Sequence, residues 1–133
     1  MGMNVLIVDQ SGVMRKILER ALRQADVPID HVVEACDGVE ALERLEAGDG
    51  IRVIFSELNM PNMDGIELLK RVKLSNHYRK VPVVMVTSEG TEAKVMEALS
   101  LGAAGYIKKP FTPAQMQAAL QRVVTFQTTR SVP

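Results

Sequence analysis

Val53-Ile54-Phe55-Ser56-Glu57-Leu58-Asn59-Met60-Pro61-Asn62-Met63-Asp64-Gly65 opens like a strand and closes like the start of a helix. Val53–Ser56 is short, apolar and β-branched, the pattern of a strand buried on both faces. A carboxylate, Glu57, follows where that strand should stop, and a polar turn around Pro61 leads to Asp64-Gly65 and a helical period. In open parallel sheets, ligands and chemistry collect beyond the carboxyl ends of strands. A strand-end carboxylate is therefore a candidate for work, although a solvated loop carboxylate is the ordinary explanation of any single Glu. The neighbours decide.

Upstream, Met3–Val8 is an apolar run closed by Asp9-Gln10. Ser11 is placed to cap a helix whose inward residues Met14, Ile17, Leu18, Ala21, Leu22 and Ala25 recur at helical spacing. Ile29–Ala35 reads as a second strand. Asp37-Gly38-Val39-Glu40 then has the acid-x-x-Glu spacing of a helix start, and that helix buries Ala41, Leu42 and Leu45 before Gly48 and Gly50 stop it. Downstream, the third helix covers Gly65–Ser75, with Leu68, Leu69 and Val72 inward. Pro82–Thr87 is a strand whose first residue cannot donate to a ladder. A fourth helix over Thr91–Leu101 turns Val95, Met96 and Leu99 inward and stops at Gly102. Ala104–Ile107 is a weak fifth strand ending in Lys108-Lys109-Pro110-Phe111. Thr112-Pro113-Ala114-Gln115 combines an N-cap, a proline at the first helical position and a capping-box glutamine. The last helix buries Met116, Ala119, Leu120, Val123 and Val124. Gln127–Pro133 has no apolar period and reads as a frayed tail, which places one domain over 1–127 and a tail over 128–133.

Five strands alternating with five helices, and runs apolar on both faces, predict an α/β fold: a doubly wound, five-stranded parallel sheet covered on both sides. The order 2-1-3-4-5, as in flavodoxin-like folds, is one of the two common choices, and periodicity does not select between them.

The chain has 133 residues, enough for one domain with a real core. Sixteen basic residues balance sixteen acidic ones, so there is no electrostatic case for nucleic acid or an anionic membrane as principal partner. No apolar run is long enough to span a bilayer and no signal peptide is visible, so a cytoplasmic protein is expected. The lone Cys36 excludes an internal disulfide, and no Cys/His cluster offers a zinc site.

Four strands end in polar residues able to converge on one edge: Asp9-Gln10, Glu57, Thr87 and Lys109. Carboxylates can hold Mg2+, and a hydroxyl with a lysine can hold phosphoryl oxygens. Each residue alone is ordinarily a strand end meeting water; together and in this order they form a kit for phosphoryl chemistry. The chain lacks Gly-x-Gly-x-x-Gly after the first strand, a Walker-type loop and a Gly-x-Ser-x-Gly elbow. His31 and His77 read as exposed.

Val5-Leu6-Ile7-Val8-Asp9, Asn59–Gly65, Val86-Thr87-Ser88 and Lys109-Pro110-Phe111 together resemble a CheY-like receiver domain of bacterial response regulators, over about residues 3–126. The resemblance implies Mg2+-assisted transfer of a phosphoryl group from a histidine kinase to an aspartate. By position, Asp9 matches the first acid of the metal site, Glu57 the phosphoacceptor, Asn59 the residue whose carbonyl reaches the metal, Thr87 the switch hydroxyl, Lys109 the lysine and Tyr106 the switch aromatic. A cis Lys109-Pro110 bond is also implied. No output domain is visible, so a stand-alone receiver is expected.

Two residues depart from that pattern. Gln10 stands where the family has a second acid, and Glu57 where it has Asp. Three carboxylates and a lysine give a charge of about −2, and Gln10 reduces it to about −1 while replacing an anionic ligand by an amide oxygen. Mg2+ binding through Asp9, Gln10, Glu57 and Asn59 is expected to be weakened or lost. Glu57 is longer than Asp by about 1.5 Å, and a displacement near 1 Å costs on the order of 10²-fold in rate. Its extra reach brings Lys109 or Thr87 within range, a partial imitation of a phosphoryl group.

The expected function is thus a single-domain receiver of two-component, phosphorelay signalling, degenerate at its acceptor, not an effective enzyme, and acting by protein–protein contact as a monomer or weak dimer. Its partners would be a histidine kinase or phosphotransfer protein, or a downstream target on the face of the fourth helix, fifth strand and fifth helix, which includes Tyr106 and Lys108. The alternatives are an active Mg2+-dependent acceptor using Glu57, a neighbouring acid or Ser56, and an engineered phosphomimic of an ordinary receiver. A second departure at Gln10 favours natural divergence over the latter. An unrelated small enzyme on the same fold stands further off.

Overall fold

The computed structural model describes residues 2–88 and 91–131, with side chains described as far as Val124. Five strands, β1 (Met3–Val8), β2 (Ile29–Ala35), β3 (Ile51–Ser56), β4 (Val83–Thr87) and β5 (Gly105–Lys108), alternate with α1 (Gly12–Arg23), α2 (Gly38–Glu46), α3 (Gly65–Leu74), α4 (Glu92–Ser100) and α5 (Pro113–Ser131). All pair in parallel, in the order β2-β1-β3-β4-β5. Successive residues of the central strands feed opposite cores. Leu6, Val8, Ile54 and Met85 pack with α2, α3 and α4. Val5, Ile7, Val53, Phe55, Val84 and Val86 pack with α1 and α5. The sheet is thus buried on both faces, which is why its strands are continuous apolar runs.

The helix starts follow from local chemistry. Ser11, Asp37, Asp64 and Thr91 each accept a hydrogen bond from the backbone N–H three residues on, satisfying donors that the first turn leaves unpaired. Thr112 and Gln115 bond reciprocally, Gln115 N–H to Thr112 Oγ1 at 3.2 Å and Thr112 N–H to Gln115 Oε1 at 2.8 Å, completing the capping box. Glu40 also reaches back, but to the N–H of Cys36, one residue before the cap.

Several boundaries and faces differ from the sequence expectation. β3 begins two residues earlier, at Ile51, because Arg52 points outward between two buried neighbours and keeps the alternation. β5 is shifted one residue along, leaving Ala104 exposed while its N–H still donates to Val83 O. Pro82 precedes β4, and its carbonyl accepts from Ile54 N–H. Met96 and Leu99, expected inside α4, are 59% and 42% exposed, whereas Ala98 is 2% exposed. The inward stripe is Val95, Ala98 and Leu101. It lies one residue, or about 100°, from the stripe containing Met96 and Leu99, and the two cannot face the sheet together. Ile17 is likewise half-exposed beside buried Leu18. The helical backbone of α5 runs to Ser131, through most of the segment expected to be a tail; Val132 and Pro133 lie outside the described residues.

Candidate functional site

The sheet itself positions the strand-end residues. Asp9 N–H donates to Ala35 O, Glu57 N–H to Val8 O and Lys109 N–H to Thr87 O, at 2.9–3.1 Å. Each residue therefore lies just past its strand and is still held by ladder hydrogen bonds. Order β2-β1-β3-β4-β5 then places Asp9, Glu57, Thr87 and Lys109 along one carboxyl edge. Asp9, Glu57 and Thr87 are buried. The peptide bond between Lys109 and Pro110 is cis, as the resemblance implies.

At the centre is an ion triad. Lys109 Nζ lies 2.6 Å from Asp9 Oδ2 and 3.0 Å from Glu57 Oε1. The other Asp9 oxygen accepts from Ser11 N–H at 2.9 Å. Glu57 Oε2 accepts from Leu58 N–H at 2.6 Å. All four carboxylate oxygens are thus engaged by this chain's own donors. Burial works against the Lys109 charge, but hydrogen bonds to Asp9 and Glu57 and the Coulomb attraction of both outweigh it, holding the ammonium above the usual lysine range.

Asp9 and Glu57, with Asn59 beside them, are the groups that would hold a cation, and each of their carboxylate oxygens already accepts a hydrogen bond within the chain. Gln10, the position expected to add a ligand, is exposed. Among the described residues, no three His, Cys, Asp or Glu side chains are disposed to hold a metal ion. A divalent cation would share both carboxylates with the Lys109 ammonium. Asn59 is exposed, with its N–H 3.5 Å from Glu57 Oε2, at the limit of a hydrogen bond. Tyr106 is half-buried and packs against the α2–α3–α4 core. Ser56 is fully buried and its hydroxyl donates to the Glu57 carbonyl, so this possible acceptor is turned away from solvent.

The loop from Asn59 to Gly65 is anchored by residues that sequence reasoning did not assign to the site. Asp37, buried at the start of α2, accepts from Glu40 N–H through one oxygen and from Asn62 Nδ2 through the other, at 2.9 and 2.7 Å. Asn62 has φ +67°, a left-handed conformation that asparagine tolerates better than most residues. Gly65 closes the loop, and a Cβ there would collide with the Glu57 carbonyl. On the other side, Arg15 Nη1 donates to Asp9 O at 2.6 Å while its Nε pairs with Glu34 at 2.8 Å, tying the acidic loop to β2. The capping role of Asp37 was legible in the sequence. Its second contact was not, because Asn62 is 25 residues away.

Asp37→Ala is expected to cost about 2 kcal/mol, the upper end of a lost N-cap, because Asn62 loses its partner as well. The backbone N–H of Glu40, and then Asn62, hold the Asp37 carboxyl below its usual range. That contribution is present above the unfolded pKa and is lost as pH falls through the folded one. The gap between wild type and variant in urea midpoint should therefore be largest near neutrality and shrink in acid; a gap independent of pH would contradict this.

A doubly wound parallel sheet with acids, a hydroxyl and a lysine on its carboxyl edge defines a class of protein, the regulatory receiver. The chain belongs to the response regulator receiver domain family, whose model matches residues 5–121. It is 39% identical over 122 residues to chemotaxis protein CheY1 of Helicobacter pylori, covering 92% of this chain and 97% of that protein. It is 40% identical over 122 residues to the chemotaxis protein CheY homolog of Campylobacter jejuni, covering 92% of each. Among solved structures, the chemotaxis response regulator CheY4 of Vibrio cholerae matches with a TM-score of 0.78 and 35% identity, over 92% of this chain and 99% of that one. The chain is a receiver domain of the chemotaxis type, in two-component signalling.

Proposed function

We propose that this receiver is degenerate as a phosphoacceptor and signals by binding other proteins. The observation that carries this is the Asp9–Lys109–Glu57 triad, which engages every carboxylate oxygen at the site. The longer Glu57 side chain puts one oxygen on the lysine and the other on the backbone, so both oxygens are already engaged and displaced from the position an aspartate would offer for in-line attack on a phosphohistidine. With Gln10 in place of an acid, Mg2+ binding is weakened, and self-phosphorylation is too slow to make the protein an effective enzyme.

Partners of this kind would be a histidine kinase or phosphotransfer protein, or a downstream target, in the cytoplasm. Support for the α4–β5–α5 face comes from the exposed Met96 and Leu99 on α4 and the exposed Lys108 on β5, since apolar residues rimmed by charge mark protein contacts. Incubation with Mg2+ and acetyl phosphate should give no mass adduct, and Mg2+ with beryllofluoride no spectral change. A stoichiometric acyl phosphate on Glu57 would overturn the proposal.

A further inference from the structure

The opposite edge of the sheet carries a second charged feature. Beside the amino ends of β4 and β5 lies a cavity of about 340 Å3, with Pro82, Ala103 and Val123 among its apolar lining and Lys73, Lys80 and Arg122 as its charged groups. Among the described residues, no acidic residue lines it. In a chain whose formal charges cancel, three cations are gathered there while the buried acids Asp9 and Glu57 sit at the opposite, carboxyl edge of the sheet, after β1 and β3. Among the described residues, neither Lys80 nor Arg122 pairs with a carboxylate. The aliphatic stem of Lys73 lies along Gly102, and its ammonium donates to Arg79 O at 3.2 Å, so this cation is held at the cavity.

From these features we infer that this cavity binds a small amphipathic anion, an apolar ring or short chain bearing a phosphate or carboxylate. The volume lies within the range of small-molecule sites. The apolar lining takes the body of the ligand, and burial of that surface drives it in. The guanidinium of Arg122 offers paired donors to a planar or tetrahedral oxyanion, with Lys80 and Lys73 adding charge. A purely apolar ligand would leave Lys80 and Arg122 partly desolvated without a counter-charge, and a bare anion would leave the apolar lining wet. Both halves of the ligand are therefore required. The inference is independent of how Glu57 and Lys109 act, because none of the residues at that site lines this cavity.

The full chain, labelled with 15N, would be titrated with phenyl phosphate, inorganic phosphate and phenol. Phenyl phosphate is expected to give saturable shifts at the amides of Gly102, Ala103, Ala104 and Val123. Inorganic phosphate should bind about ten-fold more weakly, and phenol should not saturate. Lys80→Gln with Arg122→Gln should weaken phenyl phosphate by about ten-fold or more, as expected for loss of charge-assisted hydrogen bonds. Both side chains are exposed, so an otherwise superimposable spectrum will report an intact fold. Equal affinity for inorganic and phenyl phosphate would overturn the inference, as would unchanged affinity in the double variant or shifts confined to the Asp9–Lys109 end.

Discussion

Lys109→Met is expected to destabilise the protein by about 3–5 kcal/mol, the usual cost of removing one partner from a buried ion pair. The ammonium lies between two largely buried carboxylates, at 2.6 and 3.0 Å. Without it, Asp9 and Glu57 face each other with like charge, supported by the N–H groups of Ser11 and Leu58. The wild type should also show an alkaline pH dependence that the variant lacks. In the wild type, burial opposes the lysine charge but its two carboxylate partners outweigh that, so its pKa is raised on folding. Its contribution is complete below the unfolded lysine value and disappears only as pH rises through the folded one, on the alkaline side. Lys109→Met combined with Glu57→Gln should recover much of the loss at neutral pH. Urea midpoints at two pH values measure all of this. An unchanged midpoint for the single variant would mean that the triad contributes nothing to folding.

The second large effect concerns chemistry. Glu57→Asp together with Gln10→Asp should increase Mg2+-dependent labelling by acetyl phosphate by on the order of 10²-fold or more. Shortening residue 57 withdraws its carboxylate from Lys109, and an acid at position 10 supplies the third anionic oxygen donor that a hard cation favours. Glu57→Asp alone should recover less, because the cation is still short of a ligand. Intact mass after timed incubation gives the rates. If the wild-type chain labels as fast as the double variant, the two departures are chemically silent and the protein is an ordinary acceptor.

Much of the fold was legible because its signals are local. Asp37 and Thr112 announce helix starts through residues three positions on, Ser11 through the helical apolar period that follows it, and the apolar runs around Ile7, Phe55 and Val84 announce strands buried on both faces. The residues of the site were legible because strand ends are. The faces of α4 and α1 were misjudged at Met96, Leu99 and Ile17, where two apolar stripes lie side by side and periodicity does not rank them. β3 and β5 were misplaced by one or two residues, since strand ends depend on the partner strand and not on the segment alone.

The amino-acid sequence by itself determined the alternation of strands and helices, the set Asp9, Glu57, Thr87 and Lys109, and the two substitutions that separate this chain from the pattern it resembles. All of these reside within short segments. Only the tertiary structure decided how that set is wired. Lys109 meets Asp9 across 100 residues and Glu57 across 52, and Asp37 anchors Asn62 across 25. Contacts at such separations depend on which strands lie side by side, and strand order leaves no trace in a residue's neighbours along the chain. The sheet brought a lysine between two acids, Asp9 and Glu57, and both of them hold it.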